Sequence, residues 1–194
     1  MGIVLSTSNS AKLEPKRKNR WFVSFDSIPG DGNDGVGSKL SFYAKSGTKP
    51  KVTFGADAQV KRLNEKWTFA GGPTWNDLPF TFYDFITKSN EPSAFTIMKN
   101  WKKEVYDPLT GMQGYALDYK TNATVAMLDP KGTVIQTFHV FWIWPTDVDY
   151  GTVDYTDEGI CEVAVNFKYD YAVDGDESTT VGSRTTDTTY PNVV

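Results

Sequence analysis

Residues 133–171 limit the possible folds more than any other stretch of this chain. They read TVIQTFHVFWIWPTDVDYGTVDYTDEGICEVAVNFKYDY, two alternating strands around an aromatic–proline corner. On the second strand Cys161, Val163, Val165, Phe167, Tyr169 and Tyr171 are apolar or aromatic, while Glu162, Ala164, Asn166, Lys168 and Asp170 between them are small or polar. A period of two sends alternate side chains to opposite faces of a sheet, so one face is buried and the other meets water. The wet face of such a sheet, rather than a catalytic motif, is where function is expected.

The rest of the chain follows the same logic. Residues 20–28 alternate Trp21, Val23 and Phe25 and read as the first strand. The glycine-rich PGDGNDGVGSK that follows is a loop, and residues 40–54 suggest a long ragged hairpin. Residues 55–66 carry no clear pattern. Within 67–84, Trp67 and Phe69 alternate, as do Leu78, Phe80 and Phe82; Gly71, Gly72 and Pro73 separate two strands joined by a turn. Pro79 favours an edge or a bulge. Residues 91–106 form an amphipathic helix, capped by Asn90 with Pro92 in its first turn. Its apolar stripe is Ala94, Phe95, Ile97, Met98, Trp101 and Val105. One or two strands follow in 112–128, then a turn at Asp129-Pro130-Lys131-Gly132 and a strand over 133–144 closed by Pro145. An acidic loop over 147–158 leads to the last strand over 160–172. The fold class is mainly β: an antiparallel sandwich or barrel with one flanking α-helix. Residues 1–19 read as an arm, 20–172 as one domain with a protruding loop at about 30–55, and 173–194 as a polar, flexible tail.

A chain of 194 residues buries enough surface to need no staples. Its net charge of −4 is unevenly spread. Residues 1–20 hold five basic groups against Glu14, and residues 147–177 hold ten acidic groups against Lys168. Opposite ends of opposite sign suit a head-to-tail self-associating subunit; a solvated basic arm and solvated acidic loops are the alternative. The acidic balance argues against a reader of nucleic acid that grips phosphates. The single Cys161 excludes an internal disulfide framework and, from its phase, is expected to be a buried thiol. No apolar run reaches the roughly 20 residues of a membrane span, and the first apolar segment is too short for a secretory signal.

No reaction chemistry emerges. The lone His139 sits mid-strand and reads as structural, and one His with one Cys cannot make a usual zinc site. Phosphate-cradling glycine motifs are missing. Asp31-Gly32-Asn33-Asp34 lacks the carboxylate spacing and terminal glutamate of a calcium loop. Neither a metal nor a cofactor is expected, and the chain reads as a non-enzyme. Most of its aromatic rings lie in phase with strands or the helix stripe, so packing accounts for them. A sugar-binding module would instead need an exposed flat aromatic row, for which Trp75 and Tyr150 are the candidates.

Four features in order carry a resemblance: the early strand RWFVSF after a polar arm; the segment GPTWNDLPFTFYD over 72–84; the helix with Trp101; and the corner Trp144-Pro145-Thr146-Asp147-Val148 before a final alternating strand ending Asp-Tyr. In these the chain resembles the tail tube proteins of contractile-tailed bacteriophages, over about residues 20–172. It departs from them in the glycine-rich 30–37 loop and the Thr-rich tail. The resemblance implies a virion structural subunit, made in the host cytoplasm, that forms hexameric rings stacked into a tube, the inner barrel being completed by ring neighbours. Implied partners are further copies of itself, the tail sheath protein, the tape-measure protein and a baseplate tube initiator. DNA would pass through during ejection without specific binding, and no membrane is involved. Inner tubes of type VI secretion and bacteriocin particles share that fold, so a phage-derived contractile particle is the alternative setting. On this reading Glu162, Asn166, Lys168 and Asp170 are expected to line the lumen. Asp31, Asn33, Asp34, Lys39, Lys45, Lys49 and Lys51 are expected on a loop that reaches the adjacent ring.

Overall fold

The computed structural model describes residues 15–30, 36–55, 58–87 and 91–175. Most of the N-terminal arm, Asp31, Asn33, Asp34, Asn90 and the tail beyond Gly175 lie outside these residues. In chain order the elements are β1 (Trp21–Phe25), α1 (Val36–Tyr43), β2 (Ala44–Gly47), β3 (Val52–Phe54), β4 (Ala58–Arg62), β5 (Glu65–Phe69), β6 (Pro73–Trp75) and β7 (Leu78–Tyr83). Then come α2 (Ala94–Val105), β8 (Tyr106–Asp107), β9 (Met112–Gln113), α3 (Ala116–Tyr119), β10 (Thr121–Leu128), β11 (Val134–Asp149), β12 (Glu162–Lys168) and β13 (Tyr171–Gly175). One seven-stranded antiparallel sheet runs β1-β10-β11-β12-β7-β2, with β13 also on β11. The expected mainly β, antiparallel architecture is the one observed.

Strand β11 gives this sheet its shape. Residues 134–143 pair with β10 and residues 137–141 also pair with β13, whereas residues 144–149 pair with β12. At the junction Trp142 has a φ of 59° and the register with β10 slips. The Trp142 N–H donates to Asn122 Oδ1 at 3.3 Å. One extra residue moves the buried phase from Phe138 and Val140 to Ile143 and Pro145, as a β-bulge must. The strand bends there, and the sheet closes over itself as two layers, β1-β10-β11-β13 and β11-β12-β7-β2. Phe25 meets Phe167 across the layers at 5.8 Å, and Trp21 meets Phe80 at 6.1 Å.

Helix α2 packs against one side of this sandwich. Ala94, Ile97, Met98 and Trp101 are fully buried. Trp101 lies edge-on to Phe25 at 5.7 Å, and its indole N–H donates to the Tyr119 carbonyl at 2.7 Å. Helix α1 lies along β1: the Ser41 hydroxyl donates to the Val23 carbonyl, and any side chain at Gly37 would strike the Phe25 carbonyl. That contact covers a strand that would otherwise be an open edge.

Several expectations from sequence need correction. Residues 40–54 form no hairpin; they hold the end of α1, then β2 paired to β7 and β3 paired to β6. Leu40 and Tyr43 are core residues, so the 30–55 segment is not simply a protruding polar loop. Its apolar spacing is a single helical turn, too short to stand out, and the β1 edge supplies what propensity lacks. The turn joining the strands of Trp67 and Leu78 is also absent, because β5 pairs with β4 and β7 with β12 and β2. Ser93, not Asn90, caps α2, accepting from the Thr96 N–H at 3.3 Å. Phe95 falls off the buried stripe and leans on Tyr150 at 4.8 Å. Pro145 does not close β11; it lies within it, past the last β10 pairing, where among the described residues one side of the strand carries no ladder. The last strand is two, β12 and β13, broken at Tyr169 and Asp170. Cys161 precedes β12 and is exposed, since the alternation begins to bury side chains only at Val163.

Candidate assembly surfaces

The segment without a sequence pattern builds the most conspicuous surface. Strands β3 and β6 pair Val52 with Trp75 and Phe54 with Pro73, and the Gly55 N–H donates to the Gly72 carbonyl at 2.8 Å. Beyond that break, β4 and β5 continue as a hairpin with Arg62 opposite Glu65 around a turn at Leu63, whose φ is 54°. The paired arms β4 and β5 of the ribbon are each roughly 17 Å long at ~3.4 Å per residue. Its base is clamped. The Lys51 N–H donates to the Tyr169 hydroxyl at 3.2 Å, Trp75 packs on Tyr169 at 5.7 Å, and the Asn76 N–H donates to the Lys51 carbonyl at 3.0 Å. Burial pushes the Tyr169 hydroxyl above its usual pKa, against the pull of its Lys51 contact, so it stays protonated at neutral pH.

Every residue from 58 to 70 is exposed. Facing pairs put Ala58 with Phe69 and Val60 with Trp67 on one side, and Gln59 with Thr68 and Lys61 with Lys66 on the other. The ribbon is therefore amphipathic: an apolar face of Val60, Trp67 and Phe69, each about half exposed, backs onto a basic face. A two-stranded hairpin alone in water is marginal. An apolar face of this kind marks a surface built to be covered.

The second surface is the outer face of the layer β11-β12-β7-β2. Glu162, Ala164, Asn166 and Lys168 point outward, while Val163, Val165 and Phe167 are buried. Registry places Asp149 opposite Ala164 and Asp147 opposite Asn166, and across the sheet Glu162 opposite Tyr83. Three of the four expected lumen residues thus share one polar face. Asp170 does not share β12; it sits in the bend before β13, where its carboxylate pairs with Lys120 at 2.9 Å. Glu162 pairs with Lys45, and that bond holds the Lys45 ammonium above its usual pKa.

The residues expected on a ring-stacking loop do not converge. Lys39 lies on α1 and pairs with Glu91 at 3.7 Å. Lys45 belongs to the wet face through Glu162. Lys49 sits over the Phe138 ring at 5.7 Å, and Lys51 stands at the ribbon base. Asp31, Asn33 and Asp34 fall outside the described residues. What sequence reasoning missed is the ribbon, although Trp67 and Phe69 alternate with Lys66 and Thr68 and had signalled a strand. The sugar-platform candidates are not free either: Trp75 packs on Tyr169, and Tyr150 on Phe95 with Lys102 above its ring at 5.3 Å. His139 is half-buried and bonded to Thr124 at 3.3 Å. Among the described residues no three His, Cys, Asp or Glu side chains come close enough to hold a metal ion.

No family model matches this sequence, and no curated protein matches it. Solved structures do. A chain of the PVC sheath–tube complex of an extracellular contractile injection system, in the extended state, superposes with a TM-score of 0.59. It is 16% identical, and the match covers 89% of this chain and 99% of that one. A chain from the sheath/tube terminator of the same kind of system gives 0.60 at 14% identity, over 84% of this chain and 99% of that one. A chain of the anti-feeding prophage tube-terminating cap gives 0.59 at 15% identity, over 91% and 99%. The fold is therefore shared with components of contractile injection particles, nearly end to end on their side.

Proposed function

We propose that this protein is a tube subunit of a contractile phage-type tail, a structural component forming hexameric rings that stack into a conduit for DNA. The observation that carries the reading is the amphipathic ribbon left uncovered on a body of this fold. A monomer gains nothing from an exposed apolar face; a subunit covers it with its neighbour. The ribbon takes over the ring-stacking role that the lysines of 39–51 were expected to play. The face holding Glu162, Asn166 and Lys168, with Asp147 and Asp149 beside them, is assigned to the lumen. Its excess of carboxylates would repel DNA phosphates rather than grip them. The tail sheath protein surrounds the tube in this arrangement, with the tape-measure protein inside it and a baseplate initiator at its foot. The particle's tail is the place of residence.

The likeness to chains of an extracellular contractile injection system and the anti-feeding prophage favours a second setting, the inner tube of a phage-derived particle. Both settings share the assembly test. Negative-stain electron microscopy of the full chain over a concentration series should show rings and hollow tubes. A Trp67→Ser/Phe69→Ser variant should keep the wild-type melting temperature and stop short of tubes. Normal tubes from that variant would remove the ribbon from the interface. A monomer at every concentration would overturn the self-assembling subunit altogether.

A further inference from the structure

A pocket of about 310 Å³ opens where the edge of one layer approaches the other, lined from β1 and β10 by Trp21, Val125 and Met127 and from the end of β2 by Gly47 and Thr48. Lys16, Lys18 and Lys49 rim it, and among the described residues no carboxylate lines it. An apolar floor under three ammonium groups fits an occupant with an apolar side chain flanked by carboxylates.

The chain itself carries such a segment. Residues 151–160, between β11 and β12, are exposed throughout, with Val153 at 93% and Tyr155 at 110% of full exposure. Asp154, Asp157 and Glu158 flank that tyrosine. The Asp154 carboxylate accepts from the Thr156 N–H and hydroxyl, both at 2.9 Å, which fixes the turn that presents Tyr155. The loop does not fill its own pocket. It leaves the sheet beside Asp84, whose N–H donates to the Cys161 carbonyl, while the pocket lies toward the other end of β7, where Gly47 faces Phe80.

We infer that the lysine-rimmed pocket of one copy receives the 151–160 loop of the next. Tyr155 enters against Trp21, Val125 and Met127, and Asp154, Asp157 and Glu158 meet Lys16, Lys18 and Lys49. Two different surfaces engage, so the contact is heterologous and repeats around a ring or along an axis. Charge complementarity of this kind sets the register and excludes the inverted pairing. The inference rests on the self-assembly proposed above and names one of its interfaces.

Two full-length variants test it. One reverses the pocket, Lys16→Glu/Lys18→Glu/Lys49→Glu; the other reverses the loop, Asp154→Lys/Asp157→Lys/Glu158→Lys. Sedimentation velocity then gives the concentration at which each assembles, alone, mixed in equal amounts, and with all six changes in one chain. Each variant alone should need at least tenfold more protein than wild type. The mixture and the six-fold variant should return toward wild type, which a misfolded variant could not do. Unchanged assembly by either reversal, with wild type assembling, overturns this interface and leaves the subunit reading standing. A loss without restoration shows the charges acting elsewhere, on a different partner surface, and overturns it equally. Failure of the wild type to assemble at all removes the subunit reading and this interface together.

Discussion

Three side chains show how single residues set the behaviour of this fold. Trp101 is wholly buried, touches Phe25 and Phe167, and spends its only N–H on the Tyr119 carbonyl. Trp101→Phe keeps the ring contacts but strands that carbonyl, for a loss of about 1–3 kcal/mol; Trp101→Ala adds a cavity and should cost about 3–5 kcal/mol in urea unfolding. Tyr150 is the opposite case. Its ring is packed, but its hydroxyl is buried without a hydrogen-bond partner among the described residues. Tyr150→Phe should therefore raise stability, by about 1 kcal/mol, and a loss of that size would show that the hydroxyl has a partner after all. Asp129 holds the turn before β11, accepting from the Lys131 and Thr133 N–H groups at 2.7 and 2.8 Å. Those bonds, chiefly the one from Thr133, lower its pKa below the ordinary 3.8. A depressed carboxylate stabilises the fold above its unfolded pKa, and the benefit fades as pH falls through the folded value. Asp129→Ala should thus lower the melting temperature at pH 7, and the gap to wild type should close as the pH drops below about 4. This turn could be read from Asp-Pro-Lys-Gly alone, because its chemistry is local. The fate of Cys161 could not, because where a strand begins depends on its partners.

At the scale of elements, what could be read was whatever repeats. The buried face of β12, the core rows of β1 and β7, and the α2 stripe all follow from period and need no knowledge of neighbours. Single-residue slips escape such reading. The bulge at Trp142 rests on Asn122, 20 positions away, and the break at Asp170 answers it across the ladder. Helix α1 escapes because it is held by the β1 edge rather than by its own sequence. The ribbon of β4 and β5 escapes for another reason: its apolar face faces no core, so short runs such as Ala58 and Val60 between polar residues look aperiodic. Its lone pairing makes a further prediction. Amide hydrogen exchange should be fast over residues 58–69 in the monomer and at least tenfold slower in assembled material, because docking supplies the missing layer. Equal rates in both states would place the ribbon outside the interface.

For the molecule as a whole, the outstanding property is the separation of sign. Lysines gather beside β1 and β2, and carboxylates gather at the end of β11, in the loop after it and at the start of β12. Ion pairs at exposed rims weaken as salt shortens the Debye length from about 10 Å at 0.1 M to about 3 Å at 1 M. Assembly should therefore require a higher protein concentration in 1 M salt than in 0.1 M, as light scattering would record. Assembly strengthened by salt would assign the interface to the apolar ribbon alone. One last consequence concerns force. Strand β11 belongs to both layers through an unbroken backbone, with the crease at Trp142 as the seam between them. To shear one layer past the other, a load has to straighten that seam and tear two ladders at once, and side-chain contacts alone never bear it. A cylinder assembled from such pieces would be stiff along its axis while its joints, all between separate chains, remained the parts that give.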